Sequence, residues 1–261
     1  MNSNQDSILE QERKRNFIYL LLAAAFITNA VLAEIIGAKI FSVEKTFGID
    51  PLNLDLFGWL NLSLDSSAGV TIWPFVFIIT DLMNEYFGKK GVRKVTLIGV
   101  GCITYAFFII YLVSYLSPAD FWLEVNNEDA DGNYLNINSA FTKIFRQSMA
   151  IIFSSLVAFM VGQLLDAYIF AYLRNITGRG KLWVRATVST LGSQLVDSFL
   201  ILFMAFYLLG NWELSQVFAV GIVQYTYKVL VAIILLPLLH ILHNMIDKYL
   251  GWDAPVVKAE E

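Results

Sequence analysis

The sequence predicts an all-α membrane protein, a polytopic bundle of six transmembrane helices with both termini on the cytoplasmic side. Three observations predict this fold: an apolar composition, six long apolar runs and a one-sided distribution of basic residues. Of the 261 residues, 57% are hydrophobic and 15% are charged, and the mean hydropathy is +0.61. Soluble domains are about 45–50% apolar and about 25% charged. The composition therefore excludes an ordinary soluble domain.

The charge and the cysteine count exclude two further classes. The formal net charge of -4 argues against a nucleic-acid partner, because proteins that bind nucleic acids are normally basic. The single cysteine, Cys102, rules out a disulfide within the chain. It lies in an apolar run and is predicted to be a small buried hydrophobic residue.

Six apolar runs are long enough to cross a bilayer, which requires about 20 residues in a helix. They cover residues 17–41, 70–87, 95–116, 144–173, 186–209 and 217–245. The first run continues to Phe41, too far for a signal peptide, so an uncleaved first helix is predicted. Pro74 is expected to begin the second helix and Pro237 to kink the sixth. Residues 17–246 then form the membrane domain, residues 117–145 an outer loop, and residues 1–16 and 247–261 cytoplasmic tails.

The orientation follows from the positions of lysine and arginine, which concentrate in cytoplasmic loops. With the N-terminus inside, the outer segments carry three basic residues, Lys45, Lys143 and Arg146. The inner segments carry thirteen: Arg13, Lys14, Arg15, Lys89, Lys90, Arg93, Lys94, Arg174, Arg179, Lys181, Arg185, Lys248 and Lys258. This imbalance predicts that both termini are cytoplasmic.

Several ionisable residues fall within the predicted spans, where each charge costs about 2.5–3.5 kcal/mol at the helix centre. The acidic ones are Glu34, Asp81, Glu85, Asp166 and Asp197, and the lysines are Lys39 and Lys228. Because such residues normally face a bundle interior or a water-filled cavity, they are the candidates for a functional site.

The spacing of these residues places polar groups on single helix faces. Asp81, Asn84 and Glu85 stand at i, i+3 and i+4. Amides precede charged residues by one turn in three later spans: Gln163 before Asp166, Gln194 before Asp197, and Gln224 before Lys228. A carboxylate accepts from N–H groups while an amide both donates and accepts, so the pattern suits a heteroaromatic ligand.

Structural explanations compete with this interpretation. Asp166 could pair with Arg174 or Arg179, and Asp197 could form a salt bridge with Lys228. Glu34 and Lys39 could extend to the membrane surface. Buried amides and hydroxyls such as those of Gln163, Thr28 and Thr104 could simply join helices. His240 and His243 are too few to predict a metal site.

Four motifs occur in the order typical of one family. They are WPFVFIITDLMNEYFGKK at residues 73–90, GQLLD at 162–166, STLGSQLVD at 189–197 and YTYKVLV at 225–231. Together they resemble the queuosine precursor transporter family, also called the vitamin uptake transporter family, over residues 17–245.

The resemblance implies import of 7-deazaguanine bases across a bacterial inner membrane. Such a base presents an N1–H and an exocyclic amine side by side, which one carboxylate can accept. Asp197 is the first candidate for that role and Glu85 the second, with Gln194 and Lys228 near the ring carbonyl. The remaining substrate-binding candidates are a stacking Tyr227 or Tyr225, the cavity residues Asp81 and Asn84, and the polar pair Gln163 and Asp166.

Other functions remain as alternatives. One is the substrate-capture subunit of an energy-coupling-factor vitamin transporter, and another is an intramembrane enzyme or a scaffold. No nucleophile pattern occurs, and residues 88–91 lack the spacing of a phosphate-binding loop, so no catalysis is predicted. We expect no cofactor, a small purine-like base and the lipid bilayer as partners, and favour a homodimer.

Overall fold

The computed structural model describes residues 3–50, 54–56, 60–62, 65–146, 149–178 and 181–251. It is 83% helical, in agreement with the predicted all-α polytopic membrane protein. By length and composition, five of the described helical segments can cross a membrane: Asp6–Ile36, Trp73–Val113, Ile137–Thr177, Leu182–Leu208 and Leu214–Ile234. Arg179, Lys258 and the tail from residue 252 onwards, used in the orientation prediction, lie outside the described residues.

The elements follow one another with short connections. The helices in the described ranges are α1 (Ser3–Ile36), α2 (Val43–Phe47), α3 (Trp73–Val113), α4 (Asp120–Val125), α5 (Ile137–Phe145), α6 (Met149–Thr177), α7 (Leu182–Leu202), α8 (Leu214–Ile234) and α9 (Leu236–Leu250). Four short strands lie between α1 and α3: β1 (Ile40–Ser42), β2 (Leu54–Leu56), β3 (Leu60–Leu62) and β4 (Asp65–Ser67).

The connection between α1 and α3 contains two small antiparallel sheets that the sequence did not predict. Strand β1 pairs with β4, and β2 pairs with β3. The first helix therefore ends at Ile36, five residues before the predicted end at Phe41. The hydroxyl of Ser67 donates to the carbonyl of Gly37 at 2.9 Å, which fixes the return of the chain beside the end of α1.

Helix α3 contains both the second and the third predicted runs. A straight helix of its 41 residues would measure about 60 Å, twice the hydrocarbon thickness. Gly88 breaks it with φ 66° and ψ -179°, a conformation open essentially to glycine alone. Trp73 and Gly99, 26 residues apart, both approach Phe159 of α6, so the chain reverses its direction around Gly88. The two arms of α3 thus lie side by side.

The last two predicted runs are also interrupted. Helix α7 continues as a π-helical segment, Phe203–Leu208, and the last run divides at Leu235 into α8 and α9. Pro237 occupies the first turn of α9, which confirms the predicted kink, and Pro74 occupies the first turn of α3 as predicted.

The burial pattern is that of a membrane protein. Large apolar side chains such as Ile98, Tyr105 and Phe108 are exposed on the outside of α3. Polar side chains of α3, α6 and α7, among them Asp81, Gln163 and Ser193, are buried inside the bundle. Apolar groups facing outwards are stable in lipid, while the polar groups must satisfy one another inside.

Candidate functional site

The polar residues of the spans meet along a line between α3, α6, α7 and α8. On α7 the line runs from Arg185 through Ser193 to Asp197, a rise of about 18 Å along the helix. One end holds an ion pair around Glu85, the middle holds amides and hydroxyls, and the other end holds an ion pair around Asp197. All nine predicted substrate-binding residues lie on these four helices, and Tyr227 is half-buried on α8.

The first ion pair joins α3 to α7. A guanidinium nitrogen of Arg185 lies 2.7 Å from a carboxylate oxygen of Glu85. Arg185 is fully buried, and its guanidinium also donates to the carbonyl of Gly178 and lies 5.4 Å from the ring centroid of Phe170. Arg174 of α6 donates to the carbonyl of Glu85 at 2.6 Å, and a second nitrogen lies 3.9 Å from its carboxylate.

These contacts correct two predictions. Arg185 was assigned to the cytoplasmic loop because it follows other basic residues, but it lies inside the bundle as the partner of Glu85. Arg174, considered a partner for Asp166, contacts Glu85 instead. Arg185 directly precedes the apolar run of residues 186–209, a position that does not distinguish a cytoplasmic residue from a buried partner of Glu85.

The middle of the line consists of hydrogen bonds that involve no cation. The hydroxyl of Thr80 donates to Gln163 Oε1 at 2.9 Å, and Asn84 Nδ2 donates to the carbonyl of Ala167 at 3.1 Å. Ser193 Oγ donates to Asp166 at 3.1 Å. Gln163 thus links α6 to α3, and Asp166 links α6 to α7. This is the role in joining helices that was considered as an alternative to substrate binding.

The second ion pair joins α7 to α8. Lys228 Nζ lies 2.5 Å from Asp197 Oδ2, so the salt bridge considered from the sequence is confirmed. Gly162 leaves room for this carboxylate, since a Cβ there would lie 3.3 Å from the Cβ of Asp197. Glu34 accepts a hydrogen bond from Ser155 at 2.8 Å and is close enough to Asp197 and Lys228 to interact with both charges. Glu34 therefore faces the bundle, whereas Lys39 is exposed as predicted.

Three predicted residues keep buried oxygen atoms without a hydrogen-bond partner. They are Oδ1 of Asp81, Oδ1 of Asn84 and Oε1 of Gln194, all on side chains at most 4% exposed. Unsatisfied buried polar atoms are rare in native proteins and call for an explanation such as a ligand.

A cleft that opens to the outside of the bundle lies beside one of these atoms, the Asp81 oxygen. Residues of α3, α7, α8 and α9 form its walls, and Asp81 contributes the only carboxylate among the lining residues. Neither Asp197 nor Glu85, the two favoured candidates, lines this cleft. Tyr227 is half-buried outside it, while the hydroxyl of Tyr225 donates to the carbonyl of Leu191 at 3.2 Å.

The histidines of α9 form local contacts. His243 Nδ1 lies 3.2 Å from Asp247 Oδ2, and His240 Nδ1 lies 2.9 Å from the carbonyl of Leu236. Across the ranges that the structure describes, no three side chains of His, Cys, Asp or Glu group as metal ligands.

A helical bundle with apolar outer faces and polar residues inside is the architecture of a multi-pass membrane protein. A family model described as "Putative vitamin uptake transporter" matches residues 67–242, so the chain belongs to that family. It is a transporter rather than an enzyme. This confirms the family resemblance of the four sequence motifs.

Curated relatives cover most of the chain. A "Probable queuosine precursor transporter" of Haemophilus influenzae is 28% identical over 87% of this chain and 85% of its own length. The "Queuosine precursor transporter" of Escherichia coli is 27% identical over 73% of this chain and 78% of its own length. A Bacillus subtilis relative, also named "Probable queuosine precursor transporter", is 28% identical over 74% of this chain and 76% of its own length. No solved structure matches the chain significantly.

Proposed function

We propose that the chain imports 7-deazaguanine bases, the precursors of queuosine, across the inner membrane of a bacterium. The observation that carries the proposal is the similarity to queuosine precursor transporters over 87% of the chain. The buried polar line supports it, because a purine-like base needs hydrogen-bonding partners throughout its passage through the hydrocarbon. The net charge of -4 supports the absence of a nucleic-acid partner.

The proposed topology has six spans with both termini in the cytoplasm. The reversal at Gly88 supports six spans, since it divides α3 into two arms. The arms then correspond to the second and third predicted runs, and α1, α6, α7 and α8 supply the other four. The distribution of basic residues supports the orientation. With Arg185 inside the bundle, twelve remain in the inner segments against three in the outer ones, and Lys89 and Lys90 follow the reversal at the proposed cytoplasmic face.

The proposed substrate path follows the polar line. Its residues are Asp81, Asn84, Glu85, Gln163, Asp166, Gln194, Asp197, Tyr227 and Lys228. The contacts described above divide them into two kinds. Glu85 and Asp197 are occupied by cationic partners and would control access, while Asn84 and Gln194 retain free acceptor atoms for a passing base. The preference for a homodimer stays a prediction.

Uptake of a radiolabelled 7-deazaguanine base into liposomes that contain only the purified chain tests the function. We expect accumulation above empty liposomes and competition by the unlabelled base. An absence of uptake, restored only by a cell's ATPase subunits, would favour the energy-coupling-factor alternative. An absence under both conditions would overturn the proposal.

The same assay tests the path. We expect Asp197→Asn and Lys228→Ala to reduce uptake strongly at equal protein levels, because each leaves one charge of a half-buried pair without its partner. Thr226→Val is a matched control on α8, since Thr226 is exposed and its hydroxyl donates only to the carbonyl of Ile222 one turn earlier. Normal uptake by both charge variants would remove the Asp197–Lys228 pair from the path.

A further inference from the structure

We propose that Asp81 is the carboxylate that recognises the base, and that the base binds in the cleft between α3, α7, α8 and α9. The inference rests on the proposed function and changes the order of the sequence-based candidates, in which Asp197 came first. It assigns to Asp81 the two adjacent N–H donors of a 2-amino-4-oxopyrimidine ring. Three observations carry it: the engagement of the other carboxylates, the free oxygen of Asp81 and the chemistry of the cleft walls.

The other four carboxylates of the spans already have partners. Asp197 binds Lys228 at 2.5 Å, and Glu85 binds Arg185 at 2.7 Å with Arg174 nearby. Asp166 accepts from Ser193 at 3.1 Å, and Glu34 accepts from Ser155 at 2.8 Å. A base could use one of these groups only by displacing its partner. For the two ion pairs, that displacement would leave a cation unpaired inside the bundle.

Asp81 differs from these four residues. It is 4% exposed, and its Oδ1 has no hydrogen-bond partner. The nearest charged groups on the packed elements are Asp166 of α6, Glu85 of α3 and Arg185 of α7. Arg185 is engaged by Glu85. Leaving a buried carboxyl oxygen without a donor costs stability, so this position is poorly suited to a structural role and well suited to a ligand.

The cleft walls provide what a flat bicyclic base needs. Phe77, Ile78 and Leu239 supply apolar surface against which a flat ring can pack. Two threonines of α7, Thr187 and Thr190, line the same cleft as Asp81. The Thr187 hydroxyl is buried without a hydrogen-bond partner, so a second free polar atom lines the same cleft. We assign the Thr187 hydroxyl as a hydrogen-bond donor to the carbonyl or a ring nitrogen of the base.

The geometry predicts a specificity. A carboxylate accepts both N–H groups of a guanine-type edge, whereas hypoxanthine lacks the exocyclic amine and offers only one. A hydrogen bond to a charged group of this kind corresponds to about 10- to 100-fold in affinity. Guanine-type competitors should therefore displace the labelled base about 10- to 100-fold better than hypoxanthine does. In Asp81→Asn, the side-chain amide N–H faces one of the two N–H donors of the base and cannot accept from it. The preference for guanine over hypoxanthine should therefore fall towards one.

The experiment compares competition by guanine and by hypoxanthine for a labelled 7-deazaguanine base on the purified full-length chain. Asp120→Asn is the matched control, because Asp120 begins the extramembrane helix α4 and is exposed. It should keep the wild-type ratio. If wild-type chain does not bind the labelled base at all, the proposed function fails. If wild-type chain binds it and Asp81→Asn keeps the ratio, the function stands and this inference is overturned.

A second variant keeps the inference testable if Asp81→Asn does not fold. Thr187→Val removes the free hydroxyl at nearly constant volume, so we expect weaker binding with an unchanged melting temperature. Thr104→Val is its control, since Thr104 lies on the exposed face of α3 and donates to the carbonyl of Val100. Unchanged binding by Thr187→Val would place the base outside the cleft and overturn the assignment.

Discussion

Replacing Arg185 with methionine should destabilise the protein more than any substitution of a loop arginine. Methionine keeps much of the side-chain length but removes the charge that balances Glu85, which is 7% exposed. Removing one member of a buried ion pair costs about 3–5 kcal/mol because the other charge stays buried without compensation. Arg174 still lies 3.9 Å from the Glu85 carboxylate, so we expect the lower end, about 3 kcal/mol.

The assay is thermal unfolding of the purified chain in detergent. A loss of about 3 kcal/mol corresponds to a melting temperature about 6–12 °C lower for a chain of this size. The double variant Glu85→Gln/Arg185→Met removes both charges and should recover much of the loss, since the uncompensated charge is gone. Lys90→Met, an exposed site just beyond Gly88, is the control and should leave the melting temperature unchanged. An unaltered melting temperature for Arg185→Met, or a double variant whose loss equals the sum of the single losses, would refute the reasoning.

Three further predictions concern the backbone, the orientation and the packing of α9. Gly88→Ala should lower the free energy of unfolding by about 1–3 kcal/mol, because alanine does not tolerate φ 66° with ψ -179°. Gly101→Ala, in a regular helix with open space around it, should not destabilise the protein. Equal melting temperatures of the two variants would contradict the reversal at Gly88. A membrane-impermeant maleimide added to intact cells should label Glu124→Cys and spare Lys90→Cys, and the opposite labelling would invert the proposed topology. Tyr86→Phe should lower stability by about 1 kcal/mol, since the hydroxyl donates to a carboxylate of α9 at 2.7 Å; an unchanged melting temperature would mean that this contact does not hold α9.

The helical segments could be predicted because a run of about 20 apolar residues is typical of a membrane-spanning helix. The run lengths located α6 and α7 with errors of at most seven residues at either end, and proline positions located the beginnings of α3 and α9. Helix α1 begins at Ser3, fourteen residues before the predicted start, because its polar first turns are helical as well. The strands between α1 and α3 could not be predicted in the same way. Each contains three residues, too few for an alternating pattern, and their pairing depends on contacts such as that of Ser67 with Gly37.

The members of the polar site were predictable, but their partners were not. A charge inside an apolar run is visible in the sequence, and this signal identified Asp81, Glu85, Asp197 and Lys228. Which cation meets which carboxylate depends on helix packing and rotation, which spacing within one helix does not determine. Arg185 was misassigned for this reason, because a basic residue at a helix end looks the same whether it faces the cytoplasm or a buried glutamate.

The two ion pairs on α7 have a consequence for passage through the bundle. Asp81 lies one turn from Glu85 along α3, towards Trp73, and the Asp197–Lys228 pair lies about 18 Å beyond Arg185 along α7. A base bound at Asp81 would therefore have one ion pair on each side of it along the polar line. In an alternating-access cycle the two ion pairs would separate in turn, so that the base is reached from one side of the membrane at a time. Transport speed would then depend on how readily each pair separates, and affinity would depend on the cleft between them.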